Sequence, residues 1–502
     1  MKKLFAGIVV SCFLINVQAQ NHEDIFRYSN QGLIGSARTL GLGGAWGAVG
    51  ADASSASINP AGLGLFRRNE LMGSLAITST LSNADYLGNL SSDGRTILNI
   101  PNLGMVFTNV NQYAGKDVTN GVVSTSFALG MNRINNFQTS TNYSGINSNT
   151  SVANFLSNKA NAAGYDTNAL NSADFDNELY AQALTGRLIL PTSANTYVSI
   201  FDSLKDYPYN VRQSNTILNK GRVNEWYAGG GVNISNFIYL GGSLVLQSAN
   251  YSTDNTYSES VTKSSINSTS PTRYSSIVIN QTVKTSGYGV GAKLGIIIRP
   301  VDFIKLGISY HTPVRLNLTD YYQNSMTMQY TNGASYNAPG REDYYKYQVV
   351  TPGRMTASGA LTAGQIGVFT FDYERVDYSQ GTLRANDGTS PFFAANENNK
   401  LIYDIAQNYR MGAEIKISDI RLRLGYSILG SPFKESVISK IDGTKQVISA
   451  GFGWIYDGSY FFDVAVNDRI GKDFITPYEG NPGSAVNTTS QINVVFGVGY
   501  RF

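Results

Sequence analysis

Apolar and polar residues alternate with a period of two in segment after segment of this chain. The last segment is the clearest. From Gln491 to Phe502, the residues Ile492, Val494, Phe496, Val498, Tyr500 and Phe502 face one way, and Gln491, Asn493, Val495, Gly497, Gly499 and Arg501 the other. This pattern predicts a β-strand with one apolar face and one polar or small face. Pairs of such segments precede it: Glu225–Ile234 with Phe237–Gln247, Gly287–Ile298 with Phe303–Thr312, Arg354–Ala363 with Ile366–Arg375, Asn408–Ile417 with Ile420–Leu429, and Val447–Tyr456 with Ser459–Asp468. Short turns join each pair, and long polar stretches, such as 248–286, separate the pairs. Three earlier segments, Asn69–Thr80, Leu98–Asn109 and Gly121–Asn132, bring the expected total to about 14, an even number as single-chain membrane barrels require. The predicted fold is all-β: a transmembrane antiparallel β-barrel with apolar residues toward lipid, polar residues toward a lumen, short turns on one side and long loops on the other.

The hairpin around Ser418-Asp419 fixes the register. Met411, Ala413, Ile415, Leu422, Leu424 and Tyr426 fall on the lipid face, and Arg410, Glu414, Lys416, Arg421 and Arg423 on the lumen face. Glu414 then lies opposite Arg423 as a cross-strand ion pair. A slip of one residue would put arginines into hydrocarbon. Lys293 and Lys305 also fall on the lumen face.

Composition agrees with a barrel. The chain has 502 residues with 51 Gly, 32 Tyr and 15% charged residues, and beyond the N-terminus no apolar run is long enough for a membrane helix. Residues 1–19 read as a secretory signal, with Lys2 and Lys3, an apolar run from Leu4 to Val17, and Val17-Gln18-Ala19 as the cleavage site. Val9-Val10-Ser11-Cys12 fits a lipoprotein signal only loosely, because Phe13, Leu14 and Ile15 continue the apolar run. Ordinary cleavage removes the single cysteine, two of the 38 basic residues and none of the 35 acidic ones. The near-balanced charge gives no sign of a nucleic-acid partner. With His22 and His311 as the only histidines, far apart, there is no Ser/His/Asp arrangement and no metal-ligand spacing, so neither an enzyme nor a cofactor is expected.

Residues 20–66 differ from the rest. Leu40-Gly41-Leu42-Gly43-Gly44-Ala45-Trp46-Gly47 leads to Asp52, a Ser/Ala run, and Ile58-Asn59-Pro60-Ala61-Gly62-Leu63. Small residues allow close packing, Pro60 fixes the backbone, and Asn59 can bond its own chain. This composition predicts a compact plug inside the barrel formed by 67–502.

The GGA…D…NPAGL pattern of this segment resembles the FadL/TodX family of hydrophobic-substrate transporters. So do Lys305-Leu306-Gly307-Ile308-Ser309-Tyr310, Tyr409-Arg410-Met411-Gly412-Ala413-Glu414 and Leu422-Arg423-Leu424-Gly425-Tyr426. The aromatic end of the last strand is similar to the assembly signal of bacterial outer-membrane barrels. The resemblance implies a monomeric 14-stranded barrel in the outer membrane of a Gram-negative cell. Its N-terminal hatch would carry the motif Asn59, Pro60, Ala61 and Gly62. Outer loops would capture long-chain fatty acids or similar apolar molecules, which leave sideways beside a kinked third strand, with Gly130 as the expected kink. Some relatives are instead shuttle components of a secretion system, which implies a protein partner as the alternative.

Several residues are candidates for substrate contact. Phe26 and Tyr28 reach the ligand, as hatch residues do in the family, or wedge the plug in place. Val152, Phe155 and Leu156, and Tyr180 with Leu184, have helical spacing in the long 133–223 stretch. They form a capture groove or cover their own apolar face. Arg410, Arg421 and Arg423 bind a substrate carboxylate or belong to a lumen network.

Overall fold

The computed structural model describes residues 22–171, 178–201, 210–261, 274–364, 366–386, 391–435, 443–478 and 483–502. The expected signal segment lies outside them. The barrel strands, in chain order, are β1 (Glu70–Tyr86), β2 (Asn89–Val110), β3 (Val122–Asn136), β4 (Val211–Ile234), β5 (Ile238–Val261) and β6 (Tyr274–Val301). Next come β7 (Ile304–His311 and, after a break, Arg315–Tyr330), β8 (Glu342–Val350, then Arg354–Ala363), β9 (Gly367–Asp377) and β10 (Ile405–Ile417). The last are β11 (Ile420–Leu429), β12 (Lys445–Tyr456), β13 (Tyr460–Ile475) and β14 (Ala485–Arg501). Each pairs antiparallel with its neighbours, and β14 returns to β1 with Glu70 opposite Arg501, closing the 14-strand barrel. Arg501 Nε lies 2.8 Å from Glu70 Oε2 at this closing ladder.

The alternation sorts side chains as the sequence dictates. Leu424 is 68% exposed on the outer wall, whereas its neighbour Arg423 is 4% exposed inside. Glu414 stands opposite Arg423. A closed belt of outward Leu, Ile, Val, Phe and Trp around a polar interior is unfavourable in water and favourable in a bilayer, so the barrel spans a membrane. Among the described residues no helix is long and apolar enough to cross one. Tight turns follow hairpin chemistry. Ser235 and Asn236 both take positive φ (54° and 56°), as do Asp457 and Gly458 (51° and 65°), which suits the twist of the flanking strands.

Two expectations about the loops are corrected. The 248–286 stretch is largely ladder, since β5 and β6 stay paired from Ser248↔Tyr288 to Ser260↔Ser276. Its alternation places polar residues outward and tyrosines such as Tyr251 and Tyr257 inward, so it lacks the apolar-out signature of the belt. The rule of short turns on one side also has an exception. β1 and β2 join through a tight turn at Leu87-Gly88 on the long-loop side, while 111–121 on the opposite side is longer.

Above the membrane, α4 (Val152–Ala163), α5 (Thr167–Asn171) and α6 (Glu178–Thr185) lie in the stretch between β3 and β4. Their apolar residues join a core with Tyr257, Ile277, Ile279, Met326 and Met328 from the extended tips of β5, β6 and β7. This outer cap is separate from the segment inside the barrel. There, α1 (His22–Ser29), α2 (Ala37–Gly41), α3 (Ser55–Ile58) and a 3₁₀ turn (Pro60–Leu65) form the hatch.

Candidate functional site: hatch, mouth and wall seam

The hatch is ordered by its own polar residues. Asp52 accepts from Ser36 Oγ at 2.8 Å and from Ser54 N at 2.9 Å, tying the start of α2 to the chain before α3. Asn59 caps the 3₁₀ turn by accepting from Ala61 N at 3.2 Å, and its Nδ2 donates to Gly47 O at 2.7 Å. Pro60 occupies the first turn, where its missing N–H is no loss. Gly62 O accepts from Ala51 N at 3.0 Å, and the close approach of Gly62 to Gly50 leaves no room for a Cβ. Asn59, Pro60, Ala61 and Gly62 are therefore one buried corner of the hatch.

The wall grips this hatch in two ways. Lumen side chains bond its backbone: Asp372 accepts from Trp46 N and Gly47 N, each at 3.0 Å, and Lys293 Nζ donates to Ser57 O at 2.8 Å. Lys305 Nζ donates to Val49 O at 3.0 Å, and Ser427 Oγ to Gly43 O at 2.6 Å. Lys293 is itself paired with buried Glu225 at 2.5 Å. Second, wall glycines let hatch backbone touch strand backbone. A Cβ on Gly307 would lie 2.8 Å from Gly47 O, one on Gly412 2.6 Å from Leu42 O, and one on Gly451 3.2 Å from Gly41 Cα. Gly425 stands in the same way against Gly43. Gly307, Gly412 and Gly425 are the glycines of the three recurrent strand motifs, so those motifs mark where the wall receives the hatch.

The arginines divide clearly. Arg410 pairs with Glu374 at 3.0 Å, and Arg423 with Glu414 at 2.6 Å and Asp463 at 2.5 Å. Both are engaged by carboxylates of the wall. Arg421 donates to backbone oxygens near its turn, those of Ser418 and Ile420. Phe26 and Tyr28 lie in different clusters. The Phe26 ring stacks on Tyr403 (5.2 Å between centroids) and meets Tyr378 edge-on (5.1 Å), with Phe433 alongside. Phe26, Tyr378 and Phe433, together with Leu429 and Pro432, line a small cavity of about 40 Å³ at the mouth. Tyr28 is buried among Val314, Leu316, Tyr347 and Tyr251. Phe155, Leu156 and Tyr180 are buried in the cap core, and Leu184 packs against it. The cap therefore brings these four together, apart from the hatch residues.

At the outer tip of β5, far above the apolar belt, Glu259 ties the cap down. It accepts from Val152 N at 2.8 Å, at the start of α4, and from Ser151 Oγ, Gln213 Nε2 and Tyr257 Oη. Burial pushes its carboxyl above the ordinary range, against the pull of these hydrogen bonds.

The third strand breaks three residues beyond Gly130. Gly130 is paired on both sides, opposite Gly104 and Tyr227, with no shift of register. The β3–β4 register shifts near the strand's start, between Val122 and Ser124, and beyond Gly130, between Arg133 and Asn135. The β2–β3 ladder ends at Asn102↔Asn132, where Asn102 Nδ2 donates to Asn132 Oδ1 at 2.6 Å and Asn132 Nδ2 to Ser57 Oγ at 2.8 Å. Above this pair the backbone ladder joins β2 only to β1 and β3 only to β4, and side chains bridge the two again higher up, Arg95 Nε donating to Gln138 Oε1 at 2.7 Å and Ser140 Oγ to Asp93 Oδ2 at 2.6 Å. A cavity of about 80 Å³ reaches the seam, lined by Pro101 and Ile134 of the two strands, Leu33 of the hatch, and Asn467, Arg469 and Gln491 of the far lumen wall. Just below it the outer wall is concave. Leu103, Met105, Leu129, Met131, Trp226 and Leu246 line an apolar groove of about 910 Å³. The seam had no separate signal in the sequence, because Asn102 and Asn132 read as ordinary lumen-face residues.

Among the described residues no group of three His, Cys, Asp or Glu side chains could hold a metal ion. His311 instead bonds Ile58 O at 2.9 Å, as part of the grip on the hatch.

The closed 14-strand barrel is similar in fold to solved FadL-type transporters. A FadL homologue from Pseudomonas aeruginosa superposes with a TM-score of 0.54 at 12% identity, covering 94% of this chain and 99% of that one. The P. putida toluene transporter TodX superposes with a TM-score of 0.53 at 13% identity, again covering 94% and 99%. At these identities the likeness is one of fold, and the fold is that of an outer-membrane barrel. No protein-family model matches the chain, and no curated protein sequence matches it.

Proposed function

We propose that this barrel admits hydrophobic small molecules, such as long-chain fatty acids, through the outer membrane without covalent chemistry. Solutes enter at the aromatic mouth around Phe26 and leave sideways through the β2–β3 seam into the bilayer. The observation that carries this reading is the end of the wall ladder at Asn102↔Asn132, with a cavity on its lumen side and an apolar groove on its outer side. A gripped hatch disfavours a water-filled pore, so an exit through the wall suits an apolar solute. Burial of each CH₂ contributes roughly 0.8 kcal/mol, which makes such a path favourable for acyl chains. That a toluene transporter shares this fold supports the reading.

The test is to purify the protein in mild detergent and identify bound small molecules by mass spectrometry, with a plain porin as control. Enrichment of an apolar species, reduced when cysteines placed at 100 and 133 are cross-linked across the seam, is the expected result. Absence of any enriched species after feeding candidate lipids, together with co-purifying secretion proteins, overturns the reading in favour of a protein-binding barrel.

A further inference from the structure

We propose that the outer wall holds a phosphate-bearing, acylated lipid of the surrounding outer leaflet, with Arg133 and Arg222 at its head and the apolar groove beneath them around its chains. The outward residues of three adjacent strands change character at one height. On β3, Phe127, Leu129 and Met131 give way to Arg133. On β4, Ala228 and Trp226 give way to Asn224 and Arg222, and on β5, Leu244 and Leu246 give way to Ser248 and Asn250. The ladder aligns these steps, with Met131 opposite Trp226 and Trp226 opposite Leu246. Arg222 is exposed directly above the hydrocarbon belt, at the level of lipid heads, and Arg133, half-buried beside it, also borders the seam cavity.

They are also neighbours. Arg133 stands opposite Asn224 and donates to its Oδ1 at 3.3 Å, and Arg222 is the next outward residue of β4. Neither has an ion pair among the described residues. Higher on the same face, Lys220 is matched by Asp254 at 3.3 Å. Neighbouring like charges on a sheet repel, and an anion between or beside the two relieves that repulsion. Guanidinium meets phosphate through parallel hydrogen bonds, which a surface lysine does not reproduce. Below the pair, Met131 is only 5% exposed although it faces lipid, because the wall curves inward there. The concavity offers an acyl chain walls on more than one side. This site does not depend on solute transport, since a lipid can be held whether or not anything passes the seam.

The experiment compares lipid retained by wild-type protein, the Arg133→Gln/Arg222→Gln variant and the Lys220→Gln variant, purified from the same membranes and read by native mass spectrometry. Wild-type protein and Lys220→Gln are expected to keep one phosphorylated lipid, and the double variant to lose it by on the order of tenfold. Heat-modifiable gel mobility checks that each barrel is folded, and if the double variant does not fold, the two single variants are read in the same way. Equal retention in all folded proteins means annular lipid only and overturns the proposal. So does rebinding of the same lipid, at undiminished occupancy, after its phosphates have been removed.

Discussion

In the lower lumen the hatch meets the wall backbone to backbone, across glycines and through single polar bonds from Asp372, Lys293, Lys305 and Ser427. Above the membrane the cap meets the strand tips side chain to side chain, with Phe155, Leu156 and Tyr180 packed on Tyr257, Ile277 and Met326. The difference follows from the barrel's alternation. Most of its apolar residues face lipid, so the lumen wall offers the hatch separate apolar patches, around Leu63 and Tyr28, and directional bonds with close approach fix it between them. The cap stands in water, where ordinary apolar burial stabilises it. A directional junction fixes one position. An apolar one tolerates sliding and repacking.

The largest effect expected from this contrast is at Lys293. Lys293→Ala leaves Glu225 buried without its cation and releases Ser57, at a cost of about 3–5 kcal/mol. A lowered unfolding temperature and new ion conductance in planar bilayers are the expected readouts, and a closed, wild-type trace would mean that the hatch does not depend on this pair. Next comes Leu156→Ala in the cap, at about 2–5 kcal/mol of local stability. It should speed proteolysis between 137 and 210 while leaving conductance unchanged, and equal changes in both would erase the distinction between the regions. Gly412→Val should cost about 1–3 kcal/mol through overpacking against Leu42. Its signature is conductance without cap proteolysis.

The smallest effect concerns pH. Because burial raises the folded-state pKa of Glu259, its share of stability is complete below the unfolded value and is lost as pH rises through the raised one. Proteolysis of the cap should therefore increase with pH over that window, and Glu259→Gln should flatten the dependence. A dependence that persists in the variant would assign it to another group.

All fourteen strands were legible as periodic segments, because a lipid belt repeats one rule along the whole wall. The tall outer halves of β5 and β6 were not, since their alternation runs between serine or asparagine and tyrosine, which are also loop residues. The corner at Asn59 was readable from composition, as was the Glu414–Arg423 pair from register. The glycine contacts were visible only as repeated short motifs, whose meaning depends on a partner some hundreds of residues away. The end of the β2–β3 ladder at Asn102↔Asn132 leaves no local mark, for it consists in the loss of a backbone partner rather than in any residue's own preference.

The closing ladder has a consequence for the order in which the molecule can be built. Glu70 and Arg501 are 431 residues apart in the chain, so the contact that makes the wall a ring is among the most distant the sequence can form. Bringing such ends together is slow relative to local hairpins. The hatch precedes the first strand in the chain and ends up inside the ring that this distant contact closes. Assembly of this barrel is thus a wrapping event, with the N-terminal segment as the object wrapped and the ladder between first and last strands as the seam of the wrapper.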